Sequence, residues 1–146
     1  MRKGFTLIEM LIVVAIIGLL AGAVLVGLGP VQKGGRDARR VSDLRQLQNG
    51  LELYYSRNSM YPTTNNWETD LTTVVRSLPK DPRGSSYHYQ TDTNRTWYVL
   101  GTLMEDPSSS AASSSYTGTM PAGSNFSIGA CGSSPATGGF VYCLSL

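Results

Sequence analysis

One long uncharged segment near the N-terminus constrains this chain more than any other feature of its sequence. From Met10 to Val31 there is no Asp, Glu, Lys or Arg, and most of the residues are aliphatic. Because an α-helix rises about 1.5 Å per residue, about 20 such residues cross the roughly 30 Å hydrocarbon layer of a membrane. The sequence therefore predicts a membrane-spanning helix within residues 5–31.

Two cations and one carboxylate lie at the N-terminal end of this segment. Arg2 and Lys3 account for the whole formal charge of +2. By the positive-inside rule they keep this end in the cytoplasm and send the rest of the chain across the membrane. Glu9 stands at the edge of the apolar run, where a carboxylate costs less than the roughly 3 kcal/mol expected at mid-membrane. The aliphatic residues outweigh that cost, so insertion is expected, and Glu9 needs another explanation.

A conventional signal peptide is an alternative interpretation of the same residues. Met1–Lys3 would be its basic region and Ala21-Gly22-Ala23 its cleavage site. The chain would then be a secreted soluble protein, or a membrane-anchored binding protein or adhesin. This interpretation accounts neither for Glu9 nor for the apolar residues that continue to Leu28.

The stretch KGFTLIE, together with the apolar helix after it, resembles the class III leader of type IV pilins and type II secretion pseudopilins. The resemblance implies that residues 1–4 are a prepilin leader and that prepilin peptidase cuts between Gly4 and Phe5. It also implies that the new amine of Phe5 is N-methylated. Because the cut precedes the apolar run, the membrane helix would remain in the mature subunit of a helical filament.

The same resemblance implies an assembly role for Glu9. In the pilin family, this Glu is thought to meet the free N-terminal amine of a neighbouring subunit, here that of Phe5. The amine is mostly protonated near neutral pH, and a buried ion is strongly unfavourable unless it is paired. The pair would therefore select the register of assembly. An i, i+4 contact within one helix is the simpler alternative.

Residues 32–58 are expected to continue the helix in amphipathic form. Apolar residues recur at intervals of three and four, which predicts one buried stripe. The members of this stripe are Ala38, Val41, Leu44, Leu47, Leu51 and Tyr54. Arg39 and Arg40 are expected on a solvated face. The motif GLGP at residues 27–30 predicts a kink or local melting, because proline removes one helical hydrogen bond.

Residues 59–146 are expected to form a β-rich globular head. A short helix is predicted within WETDLTTVVRSL, and strands within YHYQ, TWYVLGTL, FSIG and FVYCLSL, with TDTNR as a hairpin turn. The stretch LPKDPRGSSYHYQ resembles the major pseudopilin G family. The predicted fold class is α+β, a pilin fold in which a small antiparallel sheet packs on the second half of a long N-terminal helix.

The C-terminal part holds both cysteines of the chain, Cys131 and Cys143. Outside the cytoplasm a disulfide between them is expected, with two unpaired core thiols as the alternative. The pair also resembles the C-terminal disulfide loop of type IV pilins. The Ser/Gly-rich loop 107–125 is too polar to hold structure alone. It is expected to be a flexible loop of no specific role, with an exposed, variable or glycosylated filament surface as the alternative.

No metal or other cofactor is expected as the first choice. The resemblance to major pseudopilins implies calcium in an Asp/Gly-rich C-terminal loop. The late carboxylates of this chain are limited to Asp92, Glu105 and Asp106, whereas calcium takes several clustered oxygens. The sequence contains no phosphate-binding motif and no set of residues for nucleophilic catalysis, which argues against an enzyme. Its balanced charge gives no support for nucleic-acid binding.

The leading interpretation is a structural subunit of a type IV pilus-like filament or a type II secretion pseudopilus. Its expected partners are copies of itself, prepilin peptidase, an inner-membrane assembly platform, and minor pilins or pseudopilins. The chain is expected to cross the inner membrane once with the head outside the cytoplasm, before joining a periplasmic pseudopilus or an extracellular pilus. A surface pilus, a secretion pseudopilus and a competence filament all remain open.

Overall fold

The computed structural model describes residues 4–108, 114–118, 131–133 and 140–145, without the side chains of residues 26–28. Its elements in chain order are α1 (Leu7–Asn58), α2 (Trp67–Leu71), β1 (His88–Thr91), β2 (Tyr98–Met104) and β3 (Phe140–Ser145). This order confirms the α+β class and the predicted long N-terminal helix. The strand predicted over FSIG, residues 126–129, lies outside the described residues.

The chain divides into two compact units, Met1–Lys33 and Gly34–Leu146. In the first unit, α1 begins at Leu7 and is continuous through Pro30. The local melting predicted from GLGP is therefore wrong for the described backbone. Proline removes only its own amide bond from the helix, and the bonds of the neighbouring residues are sufficient to maintain helical geometry here.

The large apolar side chains described in the first unit are exposed. By length and composition α1 could cross a membrane, and the side chains of its most apolar stretch are not buried. Exposed fractions run from 48% at Val13 to 82% at Leu7. Exposed apolar surface of this extent marks contact with a membrane or another protein. The helix therefore needs an environment that its own chain does not supply.

The second unit contains a three-stranded antiparallel sheet in the order β1-β2-β3. Tyr89 on β1 and Leu144 on β3 both pair with Leu100 on the central strand. The β1–β2 connection contains the predicted TDTNR turn, so this hairpin is confirmed. The predicted closing strand FVYCLSL is confirmed as β3.

The main core of the second unit lies between the sheet and the second half of α1. Leu44, Leu47 and Leu51 are at most 1% exposed. They belong to one cluster with side chains from all three strands and from α2, including Tyr89, Tyr98, Leu100, Met104, Tyr142, Trp67 and Leu71. The predicted packing of the sheet on this part of the helix is thus confirmed.

A second, smaller cluster uses alternate residues of the same strands. Val99, Val141 and Cys143 are fully buried, with Trp97, Tyr116 and Cys131 packed against them. Because successive strand residues point to opposite faces, this cluster lies on the face of the sheet away from the main core. Tyr116, which belongs to the Ser/Gly-rich loop, thus packs against this cluster.

The N-terminal end of the buried stripe differs from the prediction. Ala38 is exposed, whereas Asp37 and Arg40 are 1% and 2% exposed. Positions 37, 40, 44, 47 and 51 keep the helical spacing of three and four. The buried face therefore continues through two charged residues, and the expectation of a solvated Arg40 is wrong.

Gly50 permits the close approach of α1 and the segment that follows α2. A Cβ atom built there would lie 2.9 Å from Val75 Cγ2 and 3.7 Å from Leu71 Cδ2. The first distance is shorter than carbon atoms tolerate without movement. A side chain at position 50 would therefore displace the segment that follows α2.

Gly50→Leu is expected to lower the free energy of unfolding of the second unit by about 1–3 kcal/mol through overpacking. Gly34→Leu is the matched control, because nothing lies within 4 Å of its Cβ position. That change should be neutral or stabilising by up to about 1 kcal/mol. Denaturant titration of the full chain in detergent, followed by near-ultraviolet circular dichroism, measures both. Equal effects of the two substitutions would contradict the packing argument.

Candidate functional site

The N-terminal motif forms a local hydrogen-bonded structure at the start of α1. Phe5 is 80% exposed, and Gly4 precedes it in exposed, non-helical chain. The backbone N–H of Thr6 donates to Glu9 Oε2 at 2.8 Å, and the Thr6 hydroxyl donates to the same oxygen at 2.7 Å. The Glu9 N–H in turn donates to Thr6 Oγ1 at 3.3 Å.

The two bonds donated by backbone N–H groups, from Thr6 to Glu9 Oε2 and from Glu9 to Thr6 Oγ1, are the reciprocal contacts of a capping box. They satisfy amides that would otherwise have no partner at the helix start. Thr6 was not among the predicted site residues, although the pattern T-x-x-E before an apolar run predicts this arrangement. Both bonds to the carboxylate use Oε2. The assembly roles assigned to Phe5 and Glu9, and the cleavage after Gly4, remain predictions.

In the second unit, Arg40 is the centre of a buried ion-pair cluster. Its Nε lies 2.6 Å from Asp81 Oδ2, and its Nη1 lies 2.6 Å from Asp37 Oδ1 and 3.1 Å from Glu105 Oε1. Arg36 donates from Nε and Nη2 to the two oxygens of Glu105, each at 2.7 Å. The cluster therefore joins α1 to the DPRG turn and to the residue that follows β2.

Backbone groups complete the hydrogen bonding of this cluster. Asp37 accepts bonds from the N–H groups of Glu105 and Asp106, at 2.9–3.1 Å. Asp81 Oδ1 accepts the N–H of Arg83 at 2.7 Å. A buried ion pair is tolerated when its remaining polar atoms are also bonded, and that condition is met here.

The charges of the cluster shift one another's protonation equilibria. The hydrogen bonds from Arg36 lower the pKa of Glu105 to about 2, against the opposing effect of burial. Burial lowers the pKa of Arg40, but the hydrogen bonds to Asp81, Asp37 and Glu105 outweigh it, so this pKa is raised. Glu105 and Arg40 are therefore charged near neutral pH.

Two further carboxylates of α1 accept bonds from core tyrosines. The Tyr87 hydroxyl donates to Asp43 Oδ2 at 2.6 Å, and Tyr98 donates to Glu52 Oε1 at 3.0 Å. Burial and the adjacent carboxylate raise the pKa of each tyrosine. These hydroxyls thus remain protonated donors, and they bond α1 to β2 and to the residue that precedes β1.

The structure contains the predicted disulfide. Cys131 and Cys143 are joined, with their Cα atoms 5.6 Å apart. Cys143 lies on β3 and is fully buried, whereas Cys131 is partly exposed. The alternative of two unpaired thiols is thereby excluded.

Each carboxylate considered for calcium has hydrogen-bond partners within the chain. Glu105 is bonded to Arg36 and Arg40, and Asp106 Oδ1 accepts the N–H and hydroxyl of Ser108. Asp92 accepts the N–H groups of Asn94, Thr96 and Trp97. Within the described ranges, no group of three or more candidate metal-ligating side chains occurs, and residues 107–146 contain no Asp or Glu.

Comparison with known proteins first defines the class. Residues 1–25 match the family model described as the prokaryotic N-terminal methylation motif. The match covers the leader and the start of α1, and the second unit supplies the small antiparallel sheet of the pilin fold. These features together identify a type IV pilin-like protein.

Full-length relatives identify the family. The type II secretion system core protein G of Vibrio cholerae serotype O1 is 36% identical, over 61% of this chain and 72% of that protein. The core protein G of Klebsiella pneumoniae is also 36% identical, over 59% of this chain and 72% of that protein. The Escherichia coli K12 protein of the same name is 33% identical, over 59% of this chain and 70% of that protein.

The chain belongs to the type II secretion system core protein G family, the major pseudopilins. This membership confirms the expectation of a structural protein rather than an enzyme. No solved structure matches the chain significantly.

Arg40→Met is expected to lower the free energy of unfolding of the second unit by about 3–5 kcal/mol, because buried carboxylates lose their partner. Arg39→Met is the matched control. The Arg39 side chain is 66% exposed and lies 3.9 Å from Asp43, so its removal should cost no more than about 1 kcal/mol. Denaturant titration measures both. An equal, small effect of the two substitutions would show that the cluster is not stabilising.

The depressed pKa of Glu105 predicts a defined acid transition. Its stabilising contribution is complete above the ordinary pKa of 4.5 and is lost as the pH falls towards about 2. Glu105→Gln should flatten the dependence of the unfolding free energy on pH in this window, and exposed Glu68→Gln is the control. The charged groups facing Glu105 are Arg36, Arg40 and Arg83. An unchanged pH profile in Glu105→Gln would contradict the assignment.

Proposed function

We propose that this protein is a subunit of a type II secretion pseudopilus. The observation that carries the proposal is an N-terminal methylation motif on a helix whose large apolar side chains are exposed. In the membrane this surface contacts lipid, and in a filament it contacts the helices of other copies. The same surface thus serves the stored and the assembled subunit.

Processing generates the functional N-terminus in this proposal. Prepilin peptidase removes residues 1–4, cutting between Gly4 and Phe5, and the new Phe5 amine is N-methylated. The exposure of Gly4 and Phe5 supports access for the peptidase. The apolar helix stays in the mature subunit as its anchor, with the head on the periplasmic side.

Glu9 acts in assembly by receiving the Phe5 amine of a neighbouring copy. The capping box directs Oε2 of Glu9 towards Thr6, and we assign the remaining oxygen, Oε1, to the incoming amine. Apolar surroundings penalise either charge alone. A neighbour in the wrong register would leave both unpaired, so the pair sets axial position more than it adds stability.

The partners follow from this assembly. The subunit contacts copies of itself, prepilin peptidase, the inner-membrane assembly platform, and minor pseudopilins. The filament stands in the periplasm and acts in the export of folded proteins. Neither a catalytic nor a nucleic-acid-binding role is part of the proposal.

A surface pilus is the second candidate, and the Cys131–Cys143 disulfide is the observation that favours it. Such a bond resembles the C-terminal loop of type IV pilins. Deleting the gene separates the two functions. Loss of export of a folded periplasmic enzyme with motility intact indicates a secretion pseudopilus, and the reverse indicates a surface pilus.

Glu9→Ala is expected to leave leader cleavage intact and to lower the yield of sheared filaments at least tenfold, because the incoming amine loses its partner. Glu68→Ala, a change of another exposed carboxylate, is the control. Intact mass and N-terminal sequencing follow the cleavage, and a mature chain that begins at methylated Phe5 is expected. Normal filaments from Glu9→Ala would refute the role of Glu9. A mature chain that begins at Val24 would support the signal-peptide alternative instead.

A further inference from the structure

The outer edge of β3 is covered by two short segments of the C-terminal tail. Among the strands that the structure describes, in the order β1-β2-β3, β3 is an edge strand. The N–H of Tyr116 donates to the Cys143 carbonyl at 2.9 Å, and the N–H of Cys143 donates to Ser115 Oγ at 3.0 Å. These contacts satisfy the N–H and the carbonyl of Cys143, whose backbone groups point away from β2.

The second segment covers the next outward-facing residue of the strand. The N–H of Gly132 donates to the Val141 carbonyl at 2.9 Å, and the N–H of Val141 donates to the Ser133 carbonyl at 2.8 Å. In an antiparallel strand, alternate residues direct their backbone groups to the same side. Val141 and Cys143 therefore present their backbone groups to the tail, and Tyr142 and Leu144 present theirs to β2.

The two tail segments also contact each other and the sheet face. Gly132 has a φ of +74°, and a Cβ atom there would lie 2.9 Å from Thr117 Cγ2. The rings of Tyr116 and Trp97 are 6.5 Å apart. The Cys131–Cys143 disulfide links the second segment covalently to β3. The segment at residues 131–133 is thus bonded to the strand that it covers.

We propose that the disulfide holds the tail as a cover over the β3 edge, and that oxidation of Cys131 and Cys143 is therefore a step that precedes filament assembly. The proposal rests on the proposed function as a filament subunit. An uncovered edge strand is a template for pairing with another chain. In a filament the heads of many copies are concentrated together, so uncovered edges would pair with one another out of register.

The oxidation step has a defined stoichiometry. The partly exposed Cys131 attacks an oxidant that carries a disulfide, forming a mixed disulfide and releasing one thiol of the oxidant. The thiolate of Cys143 then displaces the second oxidant sulfur. One S–S bond forms in the head and one breaks in the oxidant, which leaves as a dithiol with two electrons and two protons. The class of reaction that supplies the assembly-competent subunit is thus thiol–disulfide exchange.

Residue-resolved hydrogen exchange on the full chain in detergent micelles tests the cover directly. Reduction, or the double change Cys131→Ser and Cys143→Ser, should accelerate exchange at least tenfold at the amides of positions 141 and 143. The amides of positions 142 and 144, which face β2, should change much less. Equal acceleration at all four positions would indicate general destabilisation and overturn the cover. Unchanged protection at 141 and 143 would overturn it as well.

A variant with both cysteines intact separates the cover from the disulfide itself. Ser115→Ala removes the acceptor of the Cys143 N–H and should accelerate exchange at that amide in the oxidised chain. Ser85→Ala, an exposed serine elsewhere in the head, is the matched control and should change nothing at β3. Equal exchange at position 143 in both variants would overturn the assigned contact.

Filament yield in cells tests the order of the steps. The double cysteine variant should be inserted and cleaved normally, while sheared filaments fall at least tenfold and oligomers linked through the head appear. Filaments at the wild-type level from this variant would overturn the proposal. If the oxidised wild-type chain itself forms no filament, the proposed function as a filament subunit is wrong. The proposal that disulfide formation precedes filament assembly is then wrong as well. The exchange contrast would then still decide whether the tail covers β3.

Discussion

The buried ion pairs of Arg40 are the interactions on which the packing of the head depends, because they join three separate parts of the chain. The carboxylate partners of Arg40 come from α1 itself, from the DPRG turn and from the end of β2. The guanidinium group has donors in a fixed planar arrangement and is charged at any ordinary pH. It can therefore satisfy several carboxylates at once, which a lysine ammonium would do less specifically. The end of β2 and the DPRG turn are thereby fixed against the same helical turn.

Charged residues are buried at Asp37 and Arg40 because the groups that face α1 there differ from those that face Leu44, Leu47 and Leu51. Leu44, Leu47 and Leu51 face strand side chains whose backbone groups are already paired within the sheet. One to two turns earlier, the facing groups are the N–H groups of Glu105 and Asp106 beyond the last residue of β2. Unpaired backbone amides require acceptors when they are buried. Asp37 supplies these acceptors, and Arg40 balances its charge.

The sequence predicted the elements of the fold better than it predicted these polar contacts. Length and apolar composition identify α1, and alternation in TWYVLGTL identifies β2, because both patterns are local. The predicted apolar stripe includes Ala38. Helical spacing counted from Leu44 towards the N-terminus instead gives Arg40 and Asp37, which are the buried residues. Charged residues are buried only when distant partners exist, and here Asp81 and Glu105 are 41 and 65 residues from Arg40. A helical pattern carries no information about such partners. The Thr6–Glu9 capping box differs, since its local pattern was sufficient to predict it.

The tail illustrates how a chain poor in charge can still be held in place. Residues 107–146 contain no Asp, Glu, Lys, Arg or His, so ion pairs between side chains cannot anchor this part of the head. What remains are hydrogen bonds, the packing of apolar side chains and a covalent bond, and the described segments use all three. A short polar segment loses considerable conformational entropy when it is ordered, and a few hydrogen bonds offset little of that loss. A cross-link reduces the loss by restricting the unfolded chain. The disulfide thus adds to these hydrogen bonds a contribution that does not depend on burying apolar side chains.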